Sequence, residues 1–274
     1  MKIIVSLTTT YEREQAGLLY KSINSLLKQD NQPDIVMLNI SEEPYLKDSG
    51  FSEIPQWLKD LNVTINWVKN TGPYRKLLPT LQLAGKDDLI VTADDDIVYG
   101  KFWLKRLIEV YRENPGTIVC CRARKMKRNF YGEWQNYRNW PLLKSKSCGL
   151  CILPTGGGGV VYSKEKLDSN FLFDQKYLEL SPTSDDLWFK MASMLKKIPT
   201  LVCPEIDREN FYLKHAQGLD RENFIKIKTK NRLKKFAQRQ VVKIKNYLGV
   251  NQTRNDMAWD RICSYSSFYE NLTN

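Results

Sequence analysis

The sequence predicts an α/β protein whose central, mostly parallel sheet is covered by helices on both faces. Strand-like and helix-like segments alternate from residue 2 to about residue 121, the order expected of a parallel sheet with crossover helices. The strand-like segments are apolar over much of their length, as in a sheet buried on both faces. The chain of 274 residues, 42% of them hydrophobic, is long enough to form one large core.

The elements of the first half can be assigned in order from their residue patterns. They are the strand KIIVSLTTT, the helix AGLLYKSINSLLKQ, the strand DIVMLNIS, the short helix PQWLKDL, the strand VTINWV, the helix KLLPTLQLA, the strand DLIVTADDD, the helix FWLKRLIEVYREN and the strand TIVCCRA. In the first helix one apolar stripe recurs at helical spacing: Leu18, Leu19, Ile23, Leu26 and Leu27. Asp30 and Pro33 end that helix, and Pro115 and Gly116 stop the fourth.

The alternation breaks in the second half. Residues 122–159 are rich in Arg, Lys, Trp, Tyr and Gly, which indicates an insertion that faces a substrate. The strand VVYS, the helix SDDLWFKMASMLKKI and the strand PTLVCP follow. The remainder is basic and partly helical. The sequence therefore predicts a catalytic domain over residues 1–220 and a basic C-terminal extension over residues 221–274.

The extension accounts for most of the formal net charge of +11. Residues 226–245 contain no acidic residue but nine basic ones: Lys226, Lys228, Lys230, Arg232, Lys234, Lys235, Arg239, Lys243 and Lys245. Apolar residues are interleaved with them: Ile225, Ile227, Leu233, Phe236, Val241, Val242, Ile244 and Leu248. Two interpretations fit this pattern, a solvated basic helix packed on the domain and a segment that attaches to an anionic membrane surface.

The stretch MKIIVSLTTTYER lacks the long apolar region of a signal peptide, and no apolar run reaches the length of a membrane span, so we expect neither feature. We therefore expect a cytoplasmic protein, compatible with peripheral attachment to the inner membrane face. In that compartment the six cysteines should be reduced thiols. A zinc site built from Cys120, Cys121, Cys148 and Cys151 is disfavoured, because adjacent cysteines have poor ligand spacing.

Three adjacent carboxylates, Asp94, Asp95 and Asp96, follow the apolar strand DLIVTA. In an open parallel sheet, ligands bind beyond the carboxyl ends of the strands. Extended chain alternates, so Asp94 and Asp96 should face one side and Asp95 the other. Two convergent carboxylates suit Mg²⁺ or Mn²⁺, whereas the alternative is a solvated turn at the strand end. The position favours a metal or nucleotide site.

Three further stretches fit a site at this edge. RKLLP supplies Arg75 and Lys76, cations that suit a diphosphate. PTGGGGVVYS places four glycines, 156–159, before a strand, where the backbone can approach a ligand closely. SPTSDDLWFK places Ser184 at a helix N-cap, followed by Asp185 and Asp186; helix capping alone would also explain this acidic pair.

These motifs, in this order, resemble those of nucleotide-sugar glycosyltransferases with the GT-A fold. IVSLTTTYER, RKLLPTL, ADDDIVYG, PTGGGGVVYS, SPTSDDLWFK and NQTRND together resemble bacterial transferases that build capsule, O-antigen or lipooligosaccharide. The similarity covers most of residues 1–265. It implies a nucleotide-sugar donor, UDP-linked, a glycan or lipid-linked acceptor, Mn²⁺ or Mg²⁺ as cofactor, and inversion at the anomeric carbon.

The resemblance also implies a role for individual residues. Donor binding is expected at Thr8, Thr9, Arg13, Lys76, Asp94 and Asp95; metal binding at Asp96, Asp94 and His215; the catalytic base at Asp186, with Asp185 holding the acceptor or the loop; acceptor or loop contacts at Gly157, Gly158 and Trp188. This chain has Asp-Asp where such enzymes usually have Glu-Asp, so the choice between the two acids stays open. Asn255 and Asp256 compete with His215 for closing the site.

The aromatic residues of the insertion allow two interpretations. Rings can stack on the apolar faces of sugars, or they can simply pack in the core. The insertion supplies Tyr131, Trp134, Tyr137 and Trp140, and the neighbouring Arg138 could hold an anionic group. The same alternative applies to Trp103 and Trp188, which lie outside the insertion.

Two other function classes compete with a glycosyltransferase. A metal-dependent nucleotidyltransferase would use the same carboxylates and cations but would release pyrophosphate. A non-enzymatic protein that binds nucleic acid or another anionic surface would use the basic extension. That extension has few aromatic residues for base stacking and no nucleic-acid-binding motif, so we expect no nucleic-acid partner.

Overall fold

The computed structural model of this protein describes residues 1–214, 232–250 and 253–273. The strands in these ranges are β1 (Ile3–Thr8), β2 (Ile35–Ile40), β3 (Thr64–Trp67), β4 (Leu89–Thr92), β5 (Ile97–Val98), β6 (Ile118–Cys120), β7 (Ala123–Lys125), β8 (Ser147–Gly149), β9 (Ile152–Pro154), β10 (Val160–Tyr162), β11 (Thr200–Val202) and β12 (Phe211–Tyr212). The α-helices are α1 (Tyr11–Gln15), α2 (Leu18–Leu27), α3 (Gln56–Lys59), α4 (Leu78–Leu83), α5 (Trp103–Glu113), α6 (Ser169–Leu172), α7 (Tyr177–Leu180), α8 (Asp185–Leu195), α9 (Arg232–Tyr247) and α10 (Arg254–Thr273).

Eight strands form the central sheet in the order β3-β2-β1-β4-β10-β6-β11-β8. Strands β3, β2, β1 and β4 are mutually parallel, and β11 is parallel to β6. Strand β10 pairs antiparallel with β4 and β6, and β8 pairs antiparallel with β11 at the edge. Residues 121–159, all described by the structure, contain no α-helix that could serve as a crossover, and β10 returns in the opposite direction. The predicted mostly parallel sheet is confirmed.

Helices cover both faces of the sheet, as the apolar strands predicted. Successive residues of a strand face opposite sides. Ile4 belongs to one buried cluster with Leu81 of α4 and Phe189 of α8. Val5, the next residue, belongs to a second cluster with Leu19 of α2. Because both faces of β1 are buried, its sequence shows no alternation of polar and apolar residues.

The insertion is more ordered than its composition indicated. Strand β7 pairs antiparallel with β9, and an isolated bridge joins Arg128 to Trp134. The Trp140 side chain is 1% exposed and packs edge-on against Trp259 of α10, with ring centroids 5.9 Å apart. Core packing therefore anchors the insertion, and Trp140 is a core residue.

The C-terminal helix α10 belongs to the same core as the sheet. Its buried residues Ala258, Trp259 and Ile262 lie in the cluster that contains Ile4 of β1. The division expected at residue 220 therefore does not coincide with a break in the hydrophobic core. None of the helices in the described ranges is both long and apolar enough to cross a lipid bilayer.

Two glycines that precede β10 lie tight against α5. Trp103 donates its indole N–H to the carbonyl oxygen of Gly158. Gly159 has φ +106°, and a Cβ built on it would lie 2.5 Å from the nearest atom of the Trp103 ring. Only a residue without a side chain fits this left-handed position against the ring.

We expect Gly159→Ala to lower the free energy of unfolding by about 2–4 kcal/mol, because left-handed strain adds to overpacking. Urea unfolding measures this change. Two control variants, Gly17→Ala and Gly116→Ala, separate the cost of left-handed strain from the cost of the ring contact. Gly17 has φ +69° but no atom within 4 Å of a built Cβ, whereas Gly116 lies outside the left-handed region and also has no atom within 4 Å. The cost should fall in the order Gly159, Gly17, Gly116, and equal costs for the first two would contradict the ring contact.

Candidate active site

The carboxyl ends of β1 and β4 lie side by side at one edge of the sheet. The two strands are parallel neighbours, and Ser6 of β1 pairs with Thr92 of β4. The residues that follow each strand therefore meet beyond this edge. A cleft of about 410 Å³ opens there, and its walls include Thr8, Thr9, Arg13, Lys76, Asp94, Asp95, Asp96 and Asp185.

The three successive aspartates alternate as the extended chain predicts. The side chains of Asp94 and Asp96 are 27% and 21% exposed, and both line the cleft. The side chain of Asp95 is only 1% exposed. Two carboxylates therefore face the cleft, while the third lies beneath it.

Arg13 of α1 balances the charge of two of these acids. One guanidinium nitrogen donates to Asp95, and the other donates to Asp96 over 3.0 Å. The Thr9 hydroxyl also donates to Asp95, over 2.5 Å. Burial raises the pKa of Asp95 to about 6, against the opposing effect of Arg13. Asp95 therefore orients Arg13 and Thr9 from below, and is not an open ligand for the donor.

Lys76 balances the remaining acids of the cleft. Its Nζ atom lies 3.1 Å from Asp185, 3.6 Å from Asp94 and 3.9 Å from Asp186. Burial lowers the pKa of Lys76, but the three carboxylates outweigh burial and hold the pKa well above its ordinary value. Lys76 is thus a charged ammonium that joins the strand-end aspartates to the acidic start of α8.

A buried polar network fixes the backbone at Lys76. The Ser6 hydroxyl donates to the Lys76 carbonyl over 2.7 Å and shares a hydrogen bond of 2.6 Å with Thr80. The Asn39 amide donates to both hydroxyls, over 3.1 Å to Ser6 and 3.0 Å to Thr80. Asn66 in turn donates to the side-chain Oδ1 atom of Asn39 over 2.8 Å. Strands β1, β2 and β3 therefore set the position from which Lys76 reaches the acids.

The two acids at the start of α8 have different environments. Asp185 is 8% exposed at its side chain and forms the shortest ion pair with Lys76, at 3.1 Å. Asp186 is 27% exposed and accepts the Gly156 backbone N–H over 3.0 Å. Burial and the charge of Asp185 raise the pKa of Asp186 to about 7, while Lys76 and Gly156 oppose the shift.

The expected capping bond at the start of α8 is absent. Ser184 occupies the N-cap position, but its side chain makes no capping hydrogen bond. Instead, its hydroxyl donates to the Asn255 side-chain oxygen over 2.7 Å. Ser184 therefore links α8 to α10 and does not cap α8, while Asp185 and Asp186 do lie in the first turn of the helix.

The glycine-rich loop borders both groups of acids. A Cβ on Gly156 would collide with the Lys76 ammonium and lie 3.2 Å from Asp186. A Cβ on Gly157 would lie 3.7 Å from Asp94. Gly158 has φ +94°, and a Cβ there would lie 2.9 Å from Asp207. A side chain would therefore displace a charged neighbour at Gly156 and at Gly158, whereas a Cβ on Gly157 would make only ordinary contacts.

Sequence reasoning missed two residues that lie beside the glycine-rich loop, Tyr212 and Asp207. Strand β12 pairs antiparallel with β5, directly after the three aspartates, and brings Tyr212 beside Gly157. The Tyr212 hydroxyl donates to the Asp207 carboxylate over 2.9 Å. Two strands of two residues each carry no periodic signal, so only the folded chain reveals this contact.

Two residues of the predicted site are buried against protein partners. Trp188 is 0% exposed, stacks on Phe171 and donates to the Leu172 carbonyl over 3.1 Å, so it is a core residue and not an acceptor contact. Arg75 is 2% exposed and pairs with Asp48 at 2.6 Å, so it supports the cleft wall.

Thr8 and His215 were also predicted as site residues. The Thr8 hydroxyl donates to the Asn39 carbonyl oxygen over 2.7 Å, although the residue lines the cleft. His215, expected as a third metal ligand, lies outside the described residues.

The carboxylate oxygens that line the cleft suit a divalent ion that is also bound by phosphate oxygens. Within residues 1–214, 232–250 and 253–273, no group of three or more His, Cys, Asp or Glu side chains is arranged to hold a metal ion by itself. Asp94 and Asp96 are hard oxygen donors, partly exposed to the cleft. Mg²⁺ is usually bound by one or two carboxylates together with phosphate oxygens and water.

Comparison with known families identifies this arrangement. The sequence profile of glycosyl transferase family 2 matches residues 7–171, which include the strand-end aspartates, Lys76 and the glycine-rich loop. The chain belongs to glycosyl transferase family 2. The predicted glycosyltransferase assignment is confirmed at the level of the family.

Solved structures similar to this family 2 chain include three of S. aureus TarS. The TarS 1-349 structure has a TM-score of 0.51 at 19% identity, over 78% of this chain and 60% of that chain. The TarS 1-349 complex with UDP has a TM-score of 0.49 at 19% identity, over 75% and 58%. A further TarS structure has a TM-score of 0.50 at 18% identity, over 79% and 37%.

This chain thus spans less than two thirds of each TarS chain, and the likeness concerns the fold. No curated protein sequence matches this chain.

The charge balance around Lys76 leads to a stability prediction. We expect Lys76→Met to lower the free energy of unfolding by about 3–5 kcal/mol at about pH 8, because it leaves buried carboxylates without a counter-ion. The loss should be smaller at about pH 5. The pKa of Asp186 is raised to about 7, so this side chain is protonated at pH 5 and no longer carries a charge that needs the ammonium group.

Urea unfolding at the two pH values measures the loss. Lys105→Met is the matched control, because Lys105 is 46% exposed and pairs with Asp30 at 3.5 Å. The control should be nearly neutral at both pH values. An equal loss for Lys76→Met at both pH values would show that the three carboxylates do not depend on this ammonium.

Proposed function

We propose that this family 2 chain transfers a sugar from a UDP-linked nucleotide sugar to a hydroxyl group of a glycan or lipid-linked acceptor, with inversion at the anomeric carbon. The observation that carries the proposal is the position of Lys76. Its ammonium lies 3.6 Å from Asp94 and 3.9 Å from Asp186. A cation between strand-end acids and a perturbed carboxylate is suited to a site where a diphosphate leaves and a hydroxyl attacks.

In the proposed reaction the bond between the anomeric carbon and the diphosphate oxygen breaks, and the electron pair stays on the diphosphate. Lys76 and Arg13 lie in the cleft walls and would stabilise the negative charge that develops there. Asp94 and Asp96 would hold Mn²⁺ or Mg²⁺. Such an ion, when bound, supplies Lewis-acid stabilisation of the departing diphosphate.

Asp186 is the better candidate for the general base. The acceptor oxygen forms the new bond to the anomeric carbon, and its proton passes to the base carboxylate. Asp185 is more buried and forms the shorter ion pair with Lys76. Asp186 is more exposed, and its pKa of about 7 suits proton uptake near neutral pH. We therefore assign Asp185 to positioning Lys76.

The nucleotide part of the proposal can be tested by binding alone. We expect Asp96→Asn to weaken Mn²⁺-dependent UDP binding by about tenfold or more, because an amide oxygen is a weaker ligand than a carboxylate. Isothermal titration calorimetry with and without Mn²⁺ measures this change. Asp60→Asn, on an acid outside the cleft walls, is the control and should bind as wild type does. Unchanged Mn²⁺ dependence in Asp96→Asn would exclude this residue as a metal ligand.

The catalytic part is tested separately. We expect Asp186→Asn to lower turnover by about 10²–10⁴-fold with UDP binding nearly unchanged, because only the proton acceptor is lost. In wild type, kcat/KM should rise as the pH increases through about 7, since the base must be ionised.

Product analysis decides between reaction classes. NMR of the product should show an anomeric configuration opposite to that of the donor, with UDP as the second product. Retention would exclude single displacement. Release of pyrophosphate would instead indicate a nucleotidyltransferase.

A further inference from the structure

Helix α9 presents an apolar face to solvent over its described side chains. Val241, Ile244, Tyr247 and Leu248 are 50%, 58%, 39% and 42% exposed. At 3.6 residues per turn these four side chains fall within about a third of the helix circumference. Asn246 points away from this arc and is buried, 6% exposed. The helix therefore contacts the protein on the side of Asn246 and the partly buried Val242, and turns the other four apolar residues outward.

Basic residues border this apolar arc. Lys243 and Lys245 are both exposed, and the same helical spacing places one on each side of the arc. Lysine can lay its aliphatic stem along an apolar surface while its ammonium group reaches a polar layer. The described part of the basic run thus has an apolar centre and a cationic border.

A hairpin of the insertion adds aromatic residues to the same surface. Phe130 and Tyr131 are 89% and 74% exposed, and their rings pack edge-on with centroids 5.8 Å apart. They lie at the tip of the turn that the bridge between Arg128 and Trp134 closes. Lys127 and Arg128 are exposed at the base of this hairpin.

Hydrogen bonds hold the hairpin and the helix together. The Phe130 backbone N–H donates to the Tyr247 hydroxyl over 3.0 Å. The Asn136 backbone N–H donates to the Asn246 carbonyl over 2.9 Å, and the Asn136 side chain donates to the Val250 carbonyl over 2.6 Å. We call these exposed residues of α9 and the hairpin the α9–hairpin surface.

We propose that the α9–hairpin surface docks on an anionic lipid bilayer. Helices with an apolar face and a border of lysines bind in the plane of a membrane interface, where the apolar face enters the lipid and the lysines meet phosphate headgroups. Exposed aromatic rings such as those of Phe130 and Tyr131 are typical of this interfacial layer. The formal net charge of +11 strengthens the attraction to an anionic surface.

The same features disfavour two other partners. A second copy of the chain would bring its own lysine border against the first, and like charges repel. A nucleic acid would use the basic residues but would gain little from the aliphatic side chains of Val241, Ile244 and Leu248. Only an anionic bilayer offers an apolar layer and a phosphate layer at once.

The position of the surface also bears on the acceptor, a consequence that rests on the proposed function. The insertion that carries the hairpin also carries Tyr137, whose backbone N–H donates to Asp256 of α10 over 2.7 Å. The neighbouring Asn255 accepts the hydroxyl of Ser184, two residues before Asp186, over 2.7 Å. A lipid-linked acceptor would therefore lie on the bilayer that the enzyme contacts, close to the proposed base. Docking itself does not depend on this reaction.

Vesicle sedimentation of the full chain tests the proposal. The protein should sediment with vesicles that contain phosphatidylglycerol but not with phosphatidylcholine vesicles. Binding should weaken as salt rises from about 0.1 M to about 1 M, because the Debye length falls from about 10 Å to about 3 Å. Ile244→Glu should lower the partition coefficient by about tenfold or more, because it places a charge in the apolar face. Phe130→Ser should lower it by a smaller factor.

Leu83→Glu is the matched control for Ile244→Glu. Leu83 is 64% exposed on α4, so the variant removes a similarly exposed apolar residue and changes the net charge by the same amount. It should bind vesicles within about twofold of wild type. UDP binding should be unchanged in all three variants, which shows that each is folded independently of the lipid result.

Three results would overturn the proposal. One is equal binding of wild type to the two vesicle types, or to neither. Another is equal loss for Ile244→Glu and Leu83→Glu. The third is loss with Lys243→Glu but not with Ile244→Glu, together with binding to a duplex oligonucleotide; this would assign the surface to nucleic acid. Loss of transferase activity with vesicle binding intact would reject the proposed function and leave the docking surface unaffected.

Discussion

The site depends on one buried cation. The Lys76 ammonium lies within 4 Å of Asp94, Asp185 and Asp186, which come from the end of β4 and the start of α8. Without that charge, three carboxylates would repel one another in a partly dry cleft. Arg13 plays the corresponding part for Asp95 and Asp96. The acids at this edge are therefore structural partners of the cations even when no ligand is bound.

The scaffold holds Lys76 in place from two directions. Below it, the hydrogen bonds among Ser6, Asn39 and Thr80 tie its backbone to the parallel strands. Above it, Gly156 leaves no room for a side chain between the ammonium and Asp186. A site built on buried strands and a tight glycine turn keeps its charges in fixed positions, which electrostatic stabilisation of a leaving group requires.

The insertion packs into the core, carries the exposed hairpin and contacts helix α9. Trp140 anchors it in the core, and its hairpin carries the exposed rings of Phe130 and Tyr131. Between them, Asn136 holds the end of α9. Three of the six aromatic residues for which the sequence left stacking on a sugar open, Trp103, Trp140 and Trp188, are buried in the core, at 0–1% exposure. Aromatic composition alone does not distinguish a sugar platform from a core, since both need large apolar rings.

The sequence by itself determined the fold class, because strands buried on both faces and helices with one apolar stripe leave a periodic record. It also placed Asp94 and Asp96 together on the side that lines the cleft beyond β4, because alternation along a strand and the end of that strand are local properties. Only the tertiary structure decided which cation pairs with which acid, that Trp188 is buried, and that Tyr212 and Asp207 lie against the glycine-rich loop. Those contacts join residues far apart in the chain, and no local pattern encodes the distance between them.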